Sequence, residues 1–188
     1  MGAADFQSAV EIRGTKEEVF AIAQVMKTYA TTKREQYREK RNCPYLTHIN
    51  ICGASEFGLH NPMLNLSDDE ILAFIESKNC EISLEAGGPY GVFNGLSHIR
   101  MFHEMAEAAP NAYFKGAMGG FDVGGDYLAG FELKDQRLSC KYATNYHGEL
   151  DEDEDYDDDN WDEEDYEKEP DWDTEVIYDP INKKNVRK

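Results

Sequence analysis

The residues most capable of chemistry in this sequence are carboxylates, and they are concentrated toward the C-terminus. Residues 149–175 hold 18 acidic side chains and a single base, Lys168, which gives this stretch a net charge of −17. Aromatic rings recur among and just after them every five or six residues, at Tyr156, Trp161, Tyr166, Trp172 and Tyr178. Carboxylates and rings together bind cationic side chains, through ion pairs and through cation–π contacts. The composition therefore points to the binding of a basic surface.

Two interpretations of this acidic run are open. Runs of like charge usually leave a chain solvated, so the run could be a tail that only keeps the protein in solution. The regularly spaced rings favour a tail that binds a partner. Fully extended, such a tail would span about 90 Å with one net charge roughly every 5 Å. Single-stranded nucleic acid carries one charge per roughly 3.4 Å and duplex DNA one per about 1.7 Å, so an extended tail is closer to a single strand.

In their high density of acidic side chains, residues 149–175 resemble the acidic DNA-mimic inhibitors that phages and mobile elements use against host defence, anti-CRISPR proteins among them. The resemblance implies an inhibitor whose tail occupies the basic groove of a nucleic-acid-binding protein, for example a CRISPR-type defence effector. No cofactor is expected, and the acidity of the chain excludes direct binding of nucleic acid while the tail is intact. The residues expected to supply charge and stacking are Asp157, Asp158, Asp159, Trp161, Glu163, Glu164, Asp165, Tyr166 and Trp172.

A second cluster has residue types that bind metals. Cys43, His48, Cys52 and His60 lie within 18 residues in the pattern C-x4-H-x3-C-x7-H. Common zinc sites pair ligands two to four residues apart around a turn, and this spacing does not match them. Buried thiols and ordinary histidines are therefore favoured over a metal site. The alternative function is a small metal- or ligand-binding domain, with the acidic tail as a solubiliser.

The sequence contains no recognisable catalytic motif. The pair His103-Glu104 is not followed by the second histidine of HExxH, and the glycine-rich stretch 119–125 matches neither GxGxxG nor GxxxxGK[ST]. No serine or cysteine lies in a recognisable nucleophile elbow. The sequence therefore predicts a protein that is not an enzyme.

A basic stretch precedes the Cys/His cluster. Residues 27–41 carry six bases and two acids, and the bases are Lys27, Lys33, Arg34, Arg38, Lys40 and Arg41. A solvated helix face is the ordinary interpretation. A third possibility is that this stretch binds the acidic tail until a more basic partner displaces it. Such binding would be loose, because exposed ion pairs are worth at most about 1 kcal/mol each and are screened by salt.

The elements that must position these residues follow from hydrophobic periodicity. Alternating apolar residues predict strands, and apolar residues at helical spacing after Ser/Thr-x-x-Glu capping boxes predict helices. The order is strand, helix, strand, helix, strand, helix and three further strands, the last two joined by a tight turn at 134–136. This order predicts an α+β fold with helices on one face of a largely antiparallel sheet. A ferredoxin-like core is one member of that class.

The charge distribution divides the chain into three parts. Residues 1–148 are expected to form one compact α+β domain, 149–175 an acidic tail and 176–188 a short basic end. The longest apolar run near the start, 19–23, is far shorter than the roughly 20 residues that span a bilayer. With no signal sequence at the start and four cysteines at irregular spacing, we expect reduced thiols, a cytoplasmic location and no membrane partner.

Overall fold

The computed structural model describes residues 5–31, 46–56, 61–89, 96–122, 125–144 and 174–186. These residues form one nine-stranded antiparallel sheet and three α-helices, which confirms the predicted α+β class. The strands are β1 (Asp5–Arg13), β2 (His48–Gly53), β3 (Asn61–Pro62), β4 (Glu81–Pro89), β5 (Tyr113–Asp122), β6 (Gly125–Lys134), β7 (Arg137–Thr144), β8 (Thr174–Asp179) and β9 (Lys184–Val186). The helices are α1 (Lys16–Thr31), α2 (Asp68–Ser77) and α3 (Leu96–Ala108). None of these three helices has both the length and the apolar character needed to cross a bilayer.

The strands lie side by side in the order β3-β2-β4-β1-β5-β6-β7-β8-β9. Helix α1 connects β1 to β2 across β4, and α3 connects β4 to β5 across β1, so the two crossovers interleave. From β5 onward, each strand pairs with the next one along the chain. The ferredoxin-like core stays a prediction, because β3 and α2 are inserted between β2 and β4 and the sheet extends far beyond four strands.

Alternation along the strands separates a face covered by the helices from an open face. In β1, Val10 and Ile12 are fully buried, whereas Ala9 and Glu11 are exposed. The helices contribute the other half of a single core, through buried side chains that include Val19, Ile22, Met26, Ile71, Ile75, Phe102 and Met105. We use "open face" below for the side of the sheet that carries Ala9 and Glu11. An antiparallel sheet tolerates such a water-facing side because its strands bury only every second residue.

Both predicted capping boxes are present. Ser67 Oγ accepts a hydrogen bond from the backbone N–H of Glu70, and the Glu70 carboxylate accepts one from the N–H of Ser67 at 2.8 Å. At the start of α1, Glu18 accepts from the N–H of Thr15 at 2.8 Å, and Thr15 Oγ1 accepts from the N–H of Glu18 at 3.3 Å. Each pair satisfies amide groups that a helix N-terminus leaves without intrahelical partners.

The predicted tight turn between the sixth and seventh strands is also confirmed. Lys134 pairs with Arg137, so Asp135 and Gln136 form a two-residue hairpin loop. Both residues have positive φ, 51° and 58°, as a type I′ turn requires. The short loop sets the register of the pairing between β6 and β7.

The chain beyond residue 148 is not simply a tail, and this corrects the predicted domain boundaries. Residues 174–186 form β8 and β9 within the same sheet, and Tyr178 is only 6% exposed in the common core. In β8, Val176 and Tyr178 alternate with Glu175 and Ile177, a strand pattern that the neighbouring charge run conceals. The acidic run is therefore mostly a connection between two paired strands, and its residues 149–173 lie outside the described part of the chain.

Candidate interaction site

The strands that flank the acidic run define where the predicted interaction site is attached. β7 and β8 pair from Leu138 opposite Tyr178 to Tyr142 opposite Thr174, and Ser139 Oγ donates a hydrogen bond to Glu175 at 3.0 Å. Opposite Cα atoms in such a ladder are about 5 Å apart, so the chain leaves and re-enters the sheet at adjacent positions. The connecting residues 145–173, called the acidic segment below, carry 17 acids and one base. The predicted contact residues Asp157, Asp158, Asp159, Trp161, Glu163, Glu164, Asp165, Tyr166 and Trp172 all belong to it and lie outside the described residues.

A cluster of four side chains fastens β8 to helix α3, and we call it the C-terminal clasp. Tyr178 donates a hydrogen bond to Glu107 Oε1 at 2.5 Å, and Lys183 Nζ lies 2.6 Å from Glu107 Oε2. The His103 ring stacks on Tyr178, with centroids 3.8 Å apart and planes 3° from parallel. The clasp ties the strand that receives the acidic segment to the helix layer.

Burial and mutual hydrogen bonding shift the pKa values of the clasp residues. Burial lowers the pKa of His103, and the negative charge of Glu107 offsets only part of that shift. For Glu107, burial acts to raise the pKa, but hydrogen bonds from Lys183 and Tyr178 outweigh it and lower the pKa overall. Burial and the hydrogen bond to Glu107 raise the pKa of Tyr178. At neutral pH the clasp therefore holds a neutral imidazole, a carboxylate and a protonated phenol.

These shifts predict that acid weakens the fold. A histidine whose pKa is lower in the folded chain binds protons preferentially in the unfolded chain, so its stabilisation is complete above about pH 6.5 and declines below it. Glu107 acts in the same direction, starting near pH 4.5. We expect the melting temperature of the wild type to fall between pH 7.5 and 5.5 more than that of His103→Phe, which keeps a ring against Tyr178 and cannot titrate. Equal falls in the two proteins would show that His103 does not contribute.

The open face contains a shallow trench that sequence reasoning missed. It encloses about 440 Å³, and its lining residues are Gln7, Ser8, Ala9, His48, Glu85, Ala86, Ala117, Met118 and Gly119. Ala9 lies opposite Glu85 on one side and Ala117 on the other, so small side chains form its floor. The small residues Ala9 in β1 and Ala117 and Gly119 in β5 were the available signal. Whether these small residues form one continuous surface depends on the order of the strands in the sheet, which the sequence does not specify.

Only two of the four candidate metal ligands, His48 and Cys52, lie within the described residues. His48 and Cys52 share the open-face side of β2, where His48 is exposed and Cys52 is buried. Cys52 Sγ lies 3.7 Å from the Ser83 carbonyl oxygen, and burial together with the nearby Glu85 carboxylate raises the pKa of its thiol. Cys43 and His60 lie outside the described residues. Within the described ranges, no three His, Cys, Asp or Glu side chains are grouped as a metal site would require.

The basic stretch 27–41 is likewise described only at its start. Lys27 donates hydrogen bonds to the Leu66 carbonyl oxygen at 3.0 Å and to Asp68 at 3.1 Å, where it ties α1 to the start of α2. Lys33, Arg34, Arg38, Lys40 and Arg41 lie outside the described residues. The first base of the stretch thus has a structural role, and binding of the acidic segment by the others stays a prediction.

Comparison with known proteins adds no relative. No family model, curated protein or solved structure matches this chain. The class that can be stated is therefore the architectural one, an α+β domain with one nine-stranded antiparallel sheet among its described residues. Function must therefore be inferred from the site itself.

Proposed function

We propose that this protein is a non-enzymatic inhibitor that mimics nucleic acid and blocks a basic nucleic-acid-binding protein in the cytoplasm. The acidic segment would occupy the groove in which that partner binds its substrate. This is the mode of inhibition implied by its resemblance in charge to the acidic anti-CRISPR inhibitors. The observation that carries the proposal is the attachment of the segment: it joins two neighbouring, paired strands of the sheet, and both of its ends are therefore fixed. It is therefore presented by the folded body as an insertion.

Fixing both ends raises the charge density that the segment can present. Residues 145–173 number 29, and a chain whose two ends are held within about 10 Å of each other reaches little farther than half its contour length, about 50 Å. A net charge of −16 within that reach corresponds to roughly one charge per 3 Å of its long axis, slightly denser than the ~3.4 Å of a single nucleic-acid strand. A tethered segment is thus a better electrostatic substitute for nucleic acid than an extended tail.

The charge of the folded body is consistent with this proposal. Outside residues 145–173 the chain carries 21 acidic and 18 basic side chains, a net charge of −3. A body of this sign repels the phosphate backbone and attracts a partner of opposite charge. Segment and body therefore favour the same kind of partner, a basic protein. None of the described contacts specifically favours the alternative, a metal- or ligand-binding domain.

The proposal is tested by affinity capture from a lysate of the source organism, followed by direct competition with nucleic acid. The full chain is compared with a linker variant in which residues 146–172 are replaced by about five Gly and Ser residues, a length that hairpin loops tolerate. We expect the full chain alone to retain a basic nucleic-acid-binding protein, and we expect salt and added nucleic acid each to release it. Salt sensitivity is expected because such contacts replace condensed counterions.

A matched variant separates charge from chain length. In it the acids among the predicted contact residues become Asn or Gln, and the rings and the segment length stay unchanged. Retention should fall nearly as far as in the linker variant. If the linker variant retains the same partner as tightly as the full chain, the acidic segment is a solubiliser and the function belongs to the body.

A further inference from the structure

We propose that one end of the open face binds the protein's own acidic segment when no partner is present. The binding surface is a line of side chains across neighbouring strands, all of them described residues. We call it the basic row, and it consists of Arg13, Tyr113, Lys134, Arg137 and Lys184. The contact itself does not depend on the proposed function. Its role as an internal competitor of the partner rests on that function.

The basic row follows from the register of the sheet. Arg13 of β1 pairs with Tyr113 of β5, and Lys134 of β6 pairs with Arg137 of β7. The registers between β5 and β6 and between β7, β8 and β9 place these two pairs and Lys184 on one line. Five strand spacings make this line about 24 Å long. It lies on the open face because the next residue along each of the first five strands is buried in the core, namely Ile12, Phe114, Leu133, Leu138 and Tyr178.

The basic row carries a net positive charge. It contains four bases, and the two acids on the same line are Glu81 and Asp179. The Asp179 carboxylate is occupied by its own turn, where it accepts hydrogen bonds from two backbone N–H groups at 3.0 and 2.9 Å. In the described part of the chain, none of the ion pairs includes Lys134, Arg137 or Lys184. These three cations are therefore exposed to an incoming acidic ligand.

The neighbouring line of the open face is different. There Lys115 lies between Glu11 and Glu132, so acids outnumber bases. Among the described residues, the basic row is the only line across the open face in which bases outnumber acids. At its β1 end, the guanidinium carbon of Arg13 lies 4.7 Å from the centroid of the Tyr113 ring. The row therefore offers both cations and a ring to an acidic, aromatic ligand.

The acidic segment complements the basic row in charge and is long enough to reach it. Its net charge is −16, and its rings can stack on the guanidinium groups of Arg13 and Arg137. Because β7 has eight residues, Arg137 lies about 24 Å from the end of that strand, well within the reach of about 50 Å. Attachment to the same sheet gives the segment a high effective concentration at the row, so contacts that are individually weak can hold it.

The two tryptophans of the chain report on this contact separately. Both belong to the acidic segment. Trp161 is two positions from the middle of the segment, the point that reaches farthest from the attachment. Trp172 is two positions before Thr174, so it stays within about 7 Å of the start of β8. The start of β8 is about 17 Å from the row, which favours contact of the row with Trp161 over contact with Trp172.

The test is acrylamide quenching of tryptophan fluorescence in two full-length single-tryptophan proteins, Trp172→Phe and Trp161→Phe. Acrylamide is uncharged, so salt does not change its attraction to the protein. Raising NaCl from about 0.01 M to about 1 M shortens the screening length from about 30 Å to about 3 Å and should release the segment. We expect the quenching constant of Trp161 to rise at least about twofold with salt, and that of Trp172 to stay nearly constant. Equal salt dependence of the two tryptophans would overturn the proposal.

Two double variants of equal charge locate the contact. Lys134→Gln with Arg137→Gln neutralises part of the basic row, and both residues are exposed, so the sheet should stay folded. Lys33→Gln with Arg34→Gln removes the same two residue types from the basic stretch that precedes the Cys/His cluster. In the first pair, Trp161 should be fully quenchable already at low salt, and in the second it should stay protected. The reverse result would overturn the proposal, as would protection that grows with protein concentration, because that would show binding between copies.

Affinity capture distinguishes this contact from the proposed function. If the basic row competes with the partner, neutralising Lys134 and Arg137 should tighten retention of the partner by about threefold at low salt, because more of the segment is free to bind. Capture that depends on the segment, together with salt-independent quenching of Trp161, refutes the internal contact alone. Salt-sensitive protection of Trp161 in a protein that captures no basic partner refutes the proposed function alone.

Discussion

A chain that stops at Gly148 is expected to lose its cooperative fold. Such a truncation removes β8 and β9, including the buried ring of Tyr178 and its contacts with His103 and Glu107. Deleting one large buried ring typically costs about 3–5 kcal/mol, and small domains have only about 5–15 kcal/mol of stability in total. With the ladder to β7 also lost, we expect a destabilisation of more than about 5 kcal/mol. Thermal and urea unfolding followed by circular dichroism measure this directly.

The linker variant is the control for this prediction. It removes nearly all of the acidic segment and retains both C-terminal strands. Shortening a connection from 29 residues to about seven lowers the entropy cost of closing it by roughly 1–2 kcal/mol, and mutual repulsion among the carboxylates is removed as well. We therefore expect its stability to equal or exceed that of the wild type. A truncated chain that unfolds at the same temperature as the linker variant would show that β8 and β9 are not needed.

This difference determines how function must be tested. A truncation at residue 148 removes the acidic segment and the core residue Tyr178 together, so its failure to bind a partner would not distinguish a missing contact from an unfolded body. The linker variant changes only the connection. The variant in which the acidic contact residues become Asn or Gln changes only the charge of that connection. Binding experiments on these two variants can be interpreted because the C-terminal clasp is still present in both.

Much of the fold could be predicted because its signals are local. The alternation around Val10 and Ile12, the capping box at Ser67 and Glu70, and the two-residue turn at Asp135 each depend on residues within a few positions of one another. Local periodicity and capping have direct steric causes, so they survive in a single sequence. They predicted the helices and most strands of the described residues.

The features that the sequence did not reveal depend on contacts between distant residues. The charge distribution divides β8 between the acidic tail and the basic end, because the acidic run up to Glu175 conceals a strand of six residues whose partner β7 lies about 35 positions away. The trench brings Gln7 and Glu85 beside Gly119 only because β1 lies between β4 and β5. Composition records the charge of a segment, and it carries no information on where the two ends of that segment are attached.

A tight point of this sheet that a substitution can probe is Gly116 of β5. It pairs with Val10 of β1 and with Phe131 of β6, on the face covered by the helices. Phe131 in turn stacks on Phe102 of α3, with ring centroids 3.7 Å apart. A Cβ atom at position 116 would lie 2.6 Å from the carbonyl oxygen of Ala9 and 2.9 Å from Val10 Cγ2. Glycine therefore permits the close approach of two central strands beneath an aromatic layer.

Gly116→Ala is expected to destabilise the protein by about 3 kcal/mol, at the upper end of the usual cost of overpacking, because the clash is with backbone that no rotamer change can move. For a domain of this size that corresponds to a fall of roughly 6–12 °C in melting temperature. Gly14→Ala is the matched control. Its Cβ would meet chiefly the side-chain carboxylate of Glu18, at 3.0 Å, which can move away only by weakening its capping hydrogen bond from Thr15, so we expect a cost of about 1 kcal/mol. Equal shifts in the two variants would show that β1 and β5 are less closely packed than the 2.6 Å contact requires. A large difference would locate the least tolerant point of the sheet on the covered face, directly behind the floor of the trench.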